Sequence, residues 1–135
     1  MIFEYTLTIT AAQTEAVPAS QVMKLTKGIV HKLEIVGDGG EHNLVFVVIR
    51  RGLHQVWPTN PDGQLHPGFF PISYPVWQPL DEAPFEMVVE GWAPDTTYDH
   101  TVTVRLGIQH GEVLEPGREA IGVLGRLRDL FFGGR

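Results

Sequence analysis

The sequence predicts an all-β domain: an antiparallel β-sandwich or jelly-roll-like fold of seven to eight short strands, followed by one C-terminal amphipathic helix. Three observations carry this expectation. The run HNLVFVVIRRGLHQVWP at residues 42–58 reads as a strand, a tight turn at Arg51-Gly52 and a second strand. Residues 2–10 and 98–108 alternate apolar and polar side chains, as strands with one buried face do. Between these runs lie turn signals rich in Gly, Pro, Asp and Asn.

Along the chain, residues 2–10 place Phe3, Tyr5, Leu7 and Ile9 on one side and Ile2, Glu4, Thr6, Thr8 and Thr10 on the other. A polar connection broken by Pro18 leads to a strand over 21–26. Another strand follows over 29–36, where Ile29, Leu33 and Ile35 share a face with His31 and oppose Lys32 and Glu34. The turn Gly37-Asp38-Gly39-Gly40 leads into the central hairpin. In its first strand Leu44, Phe46 and Val48 point one way and Val45, Val47 and Ile49 the other, so both faces need cover. Its partner strand sets Leu53, Gln55 and Trp57 against His54 and Val56, which suits one face turned to water. Residues 59–84 hold Pro61, Pro67, Pro71, Pro75, Pro79 and Pro84, and this density argues against a long ladder strand while leaving room for short pieces at 68–72 and 74–78. Regular structure resumes at 85–92 with Phe85, Met87 and Val89 facing in. After a turn at 93–97, Val102, Val104, Leu106 and Ile108 line one face of the last strand.

The expected organisation is a β-sandwich domain over residues 1–115, carrying a Pro/aromatic arm at 59–84, and a helical tail over 116–135. In the tail Ala120, Val123, Leu124, Leu127, Leu130 and Phe131 recur at helical spacing, opposite Arg118, Gly122, Gly125, Arg126 and Asp129. Its two internal glycines cost roughly 1 kcal/mol each against alanine, so this helix needs something to pack on. The net charge of −6 argues against a general nucleic-acid binder. That charge is uneven: residues 1–115 carry 6 basic and 14 acidic groups, whereas residues 116–135 sum to +2. Cysteine is absent, which excludes disulfides and thiolate chemistry. The N-terminus lacks the charged and apolar regions of a signal peptide, and no apolar run approaches the ~20 residues of a membrane span.

No residue pattern names a reaction. His31, His42, His54, His66, His100 and His110 form no HxH, HxxxH or HExxH spacing, so no metal site is expected, although His54 would approach His100 if their strands paired. Asp81-Glu82 and Asp38/Glu41 are carboxylate pairs in turns, where acidic residues serve solubility and turn geometry. Ser20 and Ser73 lie in no nucleophile elbow, and no phosphate-loop motif occurs. The expectation is a non-enzymatic protein with no cofactor. Trp57, Trp77, Trp92 and Tyr74, with Tyr98, offer an alternative, a carbohydrate-binding or receptor-recognition platform, against the plainer reading of aromatics plugging strand ends. The arm and the tail suit protein contact better, through Phe69, Phe70, Trp77, Leu124, Leu127, Leu130 and Phe131.

The segments KLTKGIVHKLEI (24–35), HQVWPTNPDG (54–63) and YDHTVTVRLGI (98–108) resemble a group of small, cysteine-free β-sandwich proteins of tailed-phage particles, of the capsid decoration or minor capsid type. The resemblance covers roughly residues 3–108 and excludes the tail. Its motifs are turns and strand ends, so it carries over no catalytic residue. It implies a structural protein that binds and stabilises a protein lattice. The implied partners are further copies of itself, as a homo-oligomer such as a trimer, and a major capsid or other virion protein, with neither nucleic acid nor membrane among them. It also implies residence in the virion after assembly in the host cytoplasm.

Overall fold

A computed structural model of the protein describes residues 1–110. Along the chain run β1 (Ile2–Ile9), β2 (Ala19–Lys24), β3 (Gly28–Val36), β4 (Phe46–Arg51), β5 (His54–Trp57), β6 (Ile72–Leu80), β7 (Glu86–Trp92) and β8 (His100–Gln109). They form two antiparallel four-stranded sheets, ordered β1-β8-β3-β6 and β2-β7-β4-β5. β1 pairs with β8, β2 with β7, β3 with β6 and β4 with β5. That is one long hairpin wrapped so that successive strand pairs fall in opposite sheets, with β3–β8 and β4–β7 pairing to complete each sheet. The expected all-β sandwich is present, and its strand order is that of a jelly roll. The expected helix at 118–132, with Leu124, Leu127, Leu130 and Phe131, lies outside the described residues.

The tip of the long hairpin is the β4–β5 turn. Arg51 pairs with His54, which leaves a two-residue connection at Gly52 and Leu53. Gly52 takes φ +61°, a conformation that glycine adopts without steric cost. Between the sheets Leu7, Ile9, Met23, Val30, Leu33, Ile35, Val47, Ile49, Leu80, Met87, Val89 and Val102 to Ile108 on alternate positions make one buried cluster. At Gly91 the sheets approach so closely that a Cβ would stand 2.5 Å from Ile9 Cδ1. The second apolar face of β4 is covered too: Phe46 stacks on Trp92 at 6.1 Å and meets the His66 ring edge-on at 5.1 Å.

Four expectations are corrected by packing. First, β3 carries a bulge at His31: Val30 pairs with Ile108 but Lys32 pairs with Gly107, so His31 is an extra residue. A bulge moves the alternation by one position. Val30 therefore joins Leu33 and Ile35 in the core, while Ile29 does not belong to that cluster. Second, β6 is a nine-residue ladder strand despite Pro75 and Pro79. It lies at the edge of its sheet, where only one side must be paired. Third, neither face of β5 is given over to water, since Gln55 on one side and Val56 on the other are both buried. Gln55 is buried, and its Nε2 donates to the carbonyls of Pro58 (2.9 Å), Asn60 (3.1 Å) and Gly63 (3.2 Å). Fourth, β2 starts at Ala19 and ends at Lys24, two residues earlier than its alternation suggests.

Candidate functional site

The Pro/aromatic arm is anchored along much of its length. Besides the three bonds from Gln55, Leu65 exchanges backbone hydrogen bonds with Val47 at 2.7 and 2.9 Å, and the Gly37 N–H donates to the Gly68 carbonyl at 2.7 Å. Arg51 reaches from β4 to the other sheet, donating to the carbonyls of Pro79 (3.1 Å) and Glu82 (2.9 Å). On this fixed base Phe69 and Phe70 stand outward, 68% and 77% exposed, with their rings edge to face at 5.3 Å. Phe69 also leans on Gly39, where a Cβ would stand 3.1 Å from its ring. Ile72 opens β6 beside them and is exposed as well. Trp77 sits further along the same edge strand, 51% exposed. Rigid, outward aromatics are the usual anchors of protein interfaces.

The aromatics named for sugar stacking are dispersed. Trp92 is buried, while Trp57 and Tyr74 pack partly buried against the core. Trp57 and Trp92 belong to one sheet, Tyr74 and Trp77 to the other. Of the five named, Trp77 and Tyr98 are exposed, Tyr98 with its ring against His100.

At the Phe69 end of the molecule, the turn after β3 and the start of β8 build a polar cluster that the spacing of these residues does not reveal. Asp38, Glu41 and His100 bring one ligand atom each to within 4.8 Å of one another. His100 is buried, and its Nδ1 lies 3.1 Å from Asp38 Oδ1. The backbone N–H of Thr101 donates to Asp38 Oδ2 at 3.0 Å, and that of Gly40 to Oδ1 at 3.3 Å. Burial pushes the Asp38 carboxyl up. The bonds from His100 and from the Thr101 and Gly40 amides outweigh it and hold the group at about 2. An ionised Asp38 accepts only, so His100 Nδ1 donates to it. His100 Nε2 is buried with no hydrogen-bond partner among the described residues. Glu41 is buried under its own turn, where its carboxylate accepts from the backbone N–H groups of Asp38 and Gly39. Tyr98 completes the fastening: its hydroxyl donates to the Gly40 carbonyl at 3.1 Å and its ring lies 4.6 Å from that of His100.

Chemically, this cluster works as a staple. Every carboxylate oxygen of Asp38 and Glu41 already accepts a hydrogen bond. The other histidines do not converge on it as a set. His54 is exposed on β5 in the opposite sheet, so the strands of His54 and His100 do not pair. His66 packs on Phe46, His31 forms the bulge, and His42, at φ +46°, lines the cleft that also contains Asp95, Thr96 and Tyr98.

A second polar array crosses the outer face of the β1-β8-β3-β6 sheet. Glu4, Arg105, Glu34 and Ser73 fall in one register row. Arg105 donates to Glu4 (2.8 Å) and Glu34 (2.6 Å), and the Ser73 hydroxyl donates to Glu34 at 3.0 Å. The Arg105 and Ser73 bonds hold the Glu34 carboxyl below its usual range, and the two carboxylates raise the Arg105 guanidinium. Comparison with models of known protein families gives no match, and comparison with curated proteins gives none.

Proposed function

We propose that the protein is a non-enzymatic structural component of a phage-like particle, a capsid decoration or minor capsid protein that binds and stabilises a protein lattice. The observation that carries this reading is the exposed Phe69–Phe70 pair, with Ile72 beside it, on a loop fastened by Gln55, Leu65 and Gly68. A soluble protein rarely spends rigid, outward aromatics on water, and a Phe side chain covered by a partner contributes on the order of 1.5–3 kcal/mol. The jelly-roll order supports the same class by analogy, since it recurs in viral capsid proteins. Pro75 and Pro79 remove backbone donors from edge strand β6, which disfavours strand addition there and leaves contact to side chains. The partners are further copies of the chain and a major capsid or other virion protein. The place of action is the virion, after assembly in the host cytoplasm. A carbohydrate-binding or receptor-recognition role draws less support, because Trp77 is the only tryptophan with a large exposed face.

The test is mass spectrometry of purified particles from the source. The chain should be present at a stoichiometry matching a lattice symmetry, and Phe69→Ser with Phe70→Ser should remove it from the particles. Its absence from them contradicts the reading.

A further inference from the structure

The turn on which Phe69 leans also walls a cleft at the same end of the molecule. The cleft has a volume of about 310 Å³, and its lining includes Gly40, His42, Asp95, Thr97, Tyr98 and His100. Its walls are fixed by hydrogen bonds. The Thr96 hydroxyl donates to the Ala93 carbonyl at 2.7 Å and accepts from the Ala12 N–H at 3.3 Å, which holds the turn bearing Asp95 and Thr97. The Tyr98 ring is tied at its hydroxyl to the Gly40 carbonyl and packs on the His100 ring, yet it remains 54% exposed. His42 borders the cleft at φ +46°, a strained conformation of the kind that clusters where chains clamp ligands.

The chemistry of these walls is one-sided. Asp95 is exposed, and its carboxylate has no hydrogen bond or ion pair among the described residues. A carboxylate only accepts hydrogen bonds. The exposed face of Tyr98 attracts cations through its π-electrons. Among the described residues no Lys or Arg lines the cleft, and residues 1–115 carry 6 basic against 14 acidic groups. The wall behind Tyr98 is His100, whose buried Nε2 has no partner. We propose that this cleft receives an arginine side chain of the lattice protein that the chain binds. A guanidinium is planar, so it can stack on Tyr98 while its fork of N–H donors meets the Asp95 carboxylate. The cleft adjoins the aromatic pair, because Gly40 follows Gly39, against which Phe69 leans. The source of the arginine rests on the particle reading, whereas the preference of the cleft for a guanidinium does not.

The test titrates N-acetyl-arginine amide into the isotope-labelled full-length protein near neutral pH, with N-acetyl-citrulline amide as its uncharged counterpart. Amide signals of Gly40, Asp95, Thr97 and Tyr98 should shift and saturate with the arginine probe alone. Asp95→Asn should weaken binding at least about fivefold, whereas Phe69→Ser with Phe70→Ser should leave it unchanged. Asp95 is exposed, so an unchanged melting curve certifies that variant as folded. Absence of saturable shifts at those amides, an equal response to the citrulline probe, or wild-type affinity in Asp95→Asn overturns the proposal. On purified particles Asp95→Asn should lower the copy number of the chain, and wild-type occupancy overturns the lattice role of the cleft. The titration contains no particle protein, so its failure leaves the particle reading standing. Absence of the wild-type chain from particles, in turn, contradicts that reading and leaves the titration result intact.

Discussion

His100 Nδ1 lies 3.1 Å from Asp38 Oδ1, and this contact ties the turn after β3 to the first residue of β8. Phe69 leans on Gly39 of the same turn. The staple thus fixes the ground on which the exposed Phe69 stands, linking a buried histidine to the proposed contact surface.

The first prediction concerns pH. Asp38 is held at about 2 in the folded protein, below its unfolded value near ~3.9. A folded value below the unfolded one stabilises fully above the unfolded pKa, and this stabilisation fades as pH falls toward the folded pKa. Asp38 is partly solvated, so the stabilisation is about 1 kcal/mol after allowance for screening. Urea unfolding near neutral pH and near ~pH 3 should show the wild type losing more stability than Asp38→Asn. Parallel losses would contradict the assignment.

Gln55→Leu removes the donor shared by the Pro58, Asn60 and Gly63 carbonyls. It should cost about 2 kcal/mol in urea unfolding, and proteases should cleave around residues 58–63 sooner. A variant as stable and as resistant as the wild type would show that the loop holds itself.

Arg105→Leu breaks the row from Glu4 to Glu34 on an exposed face. The melting temperature should fall slightly at low ionic strength, and the difference should shrink as salt is added. A large, salt-independent loss would mean that Arg105 supports packing instead.

Gly91→Val places a branched side chain where a Cβ alone meets Ile9 Cδ1 at 2.5 Å. Overpacking of this kind costs typically about 1–3 kcal/mol, read as a lower urea midpoint. An unchanged midpoint would mean that the two sheets can separate locally without penalty.

The sandwich was legible because its signals are local. Alternation in β1 and β8, the doubly apolar β4 and the Gly52 turn each report their own burial. What escaped depends on distant partners. The prolines of β6 are compatible with a strand only because β6 lies at an edge. The face that β3 turns inward depends on a bulge imposed by its neighbours at His31. Asp38 and His100 are 62 positions apart, so nothing in their spacing announces the staple. The alternation of β5 does not show that Gln55 holds a loop, because its acceptors are the carbonyls of Pro58, Asn60 and Gly63. Phe69 and Phe70 could be proposed as contact residues from the sequence, but the backbone bonds that fasten the arm at Leu65 and Gly68 could not be foreseen.

The most direct test of the account is the solution mass of the full-length protein by light scattering, compared with the Phe69→Ser, Phe70→Ser double variant. Both side chains are exposed, so the variant should melt within about 0.5 kcal/mol of the wild type. The account predicts an oligomer for the wild type that falls to the 15.0 kDa monomer in the variant. A wild type that stays monomeric at every concentration, or an oligomer indifferent to both substitutions, would contradict it.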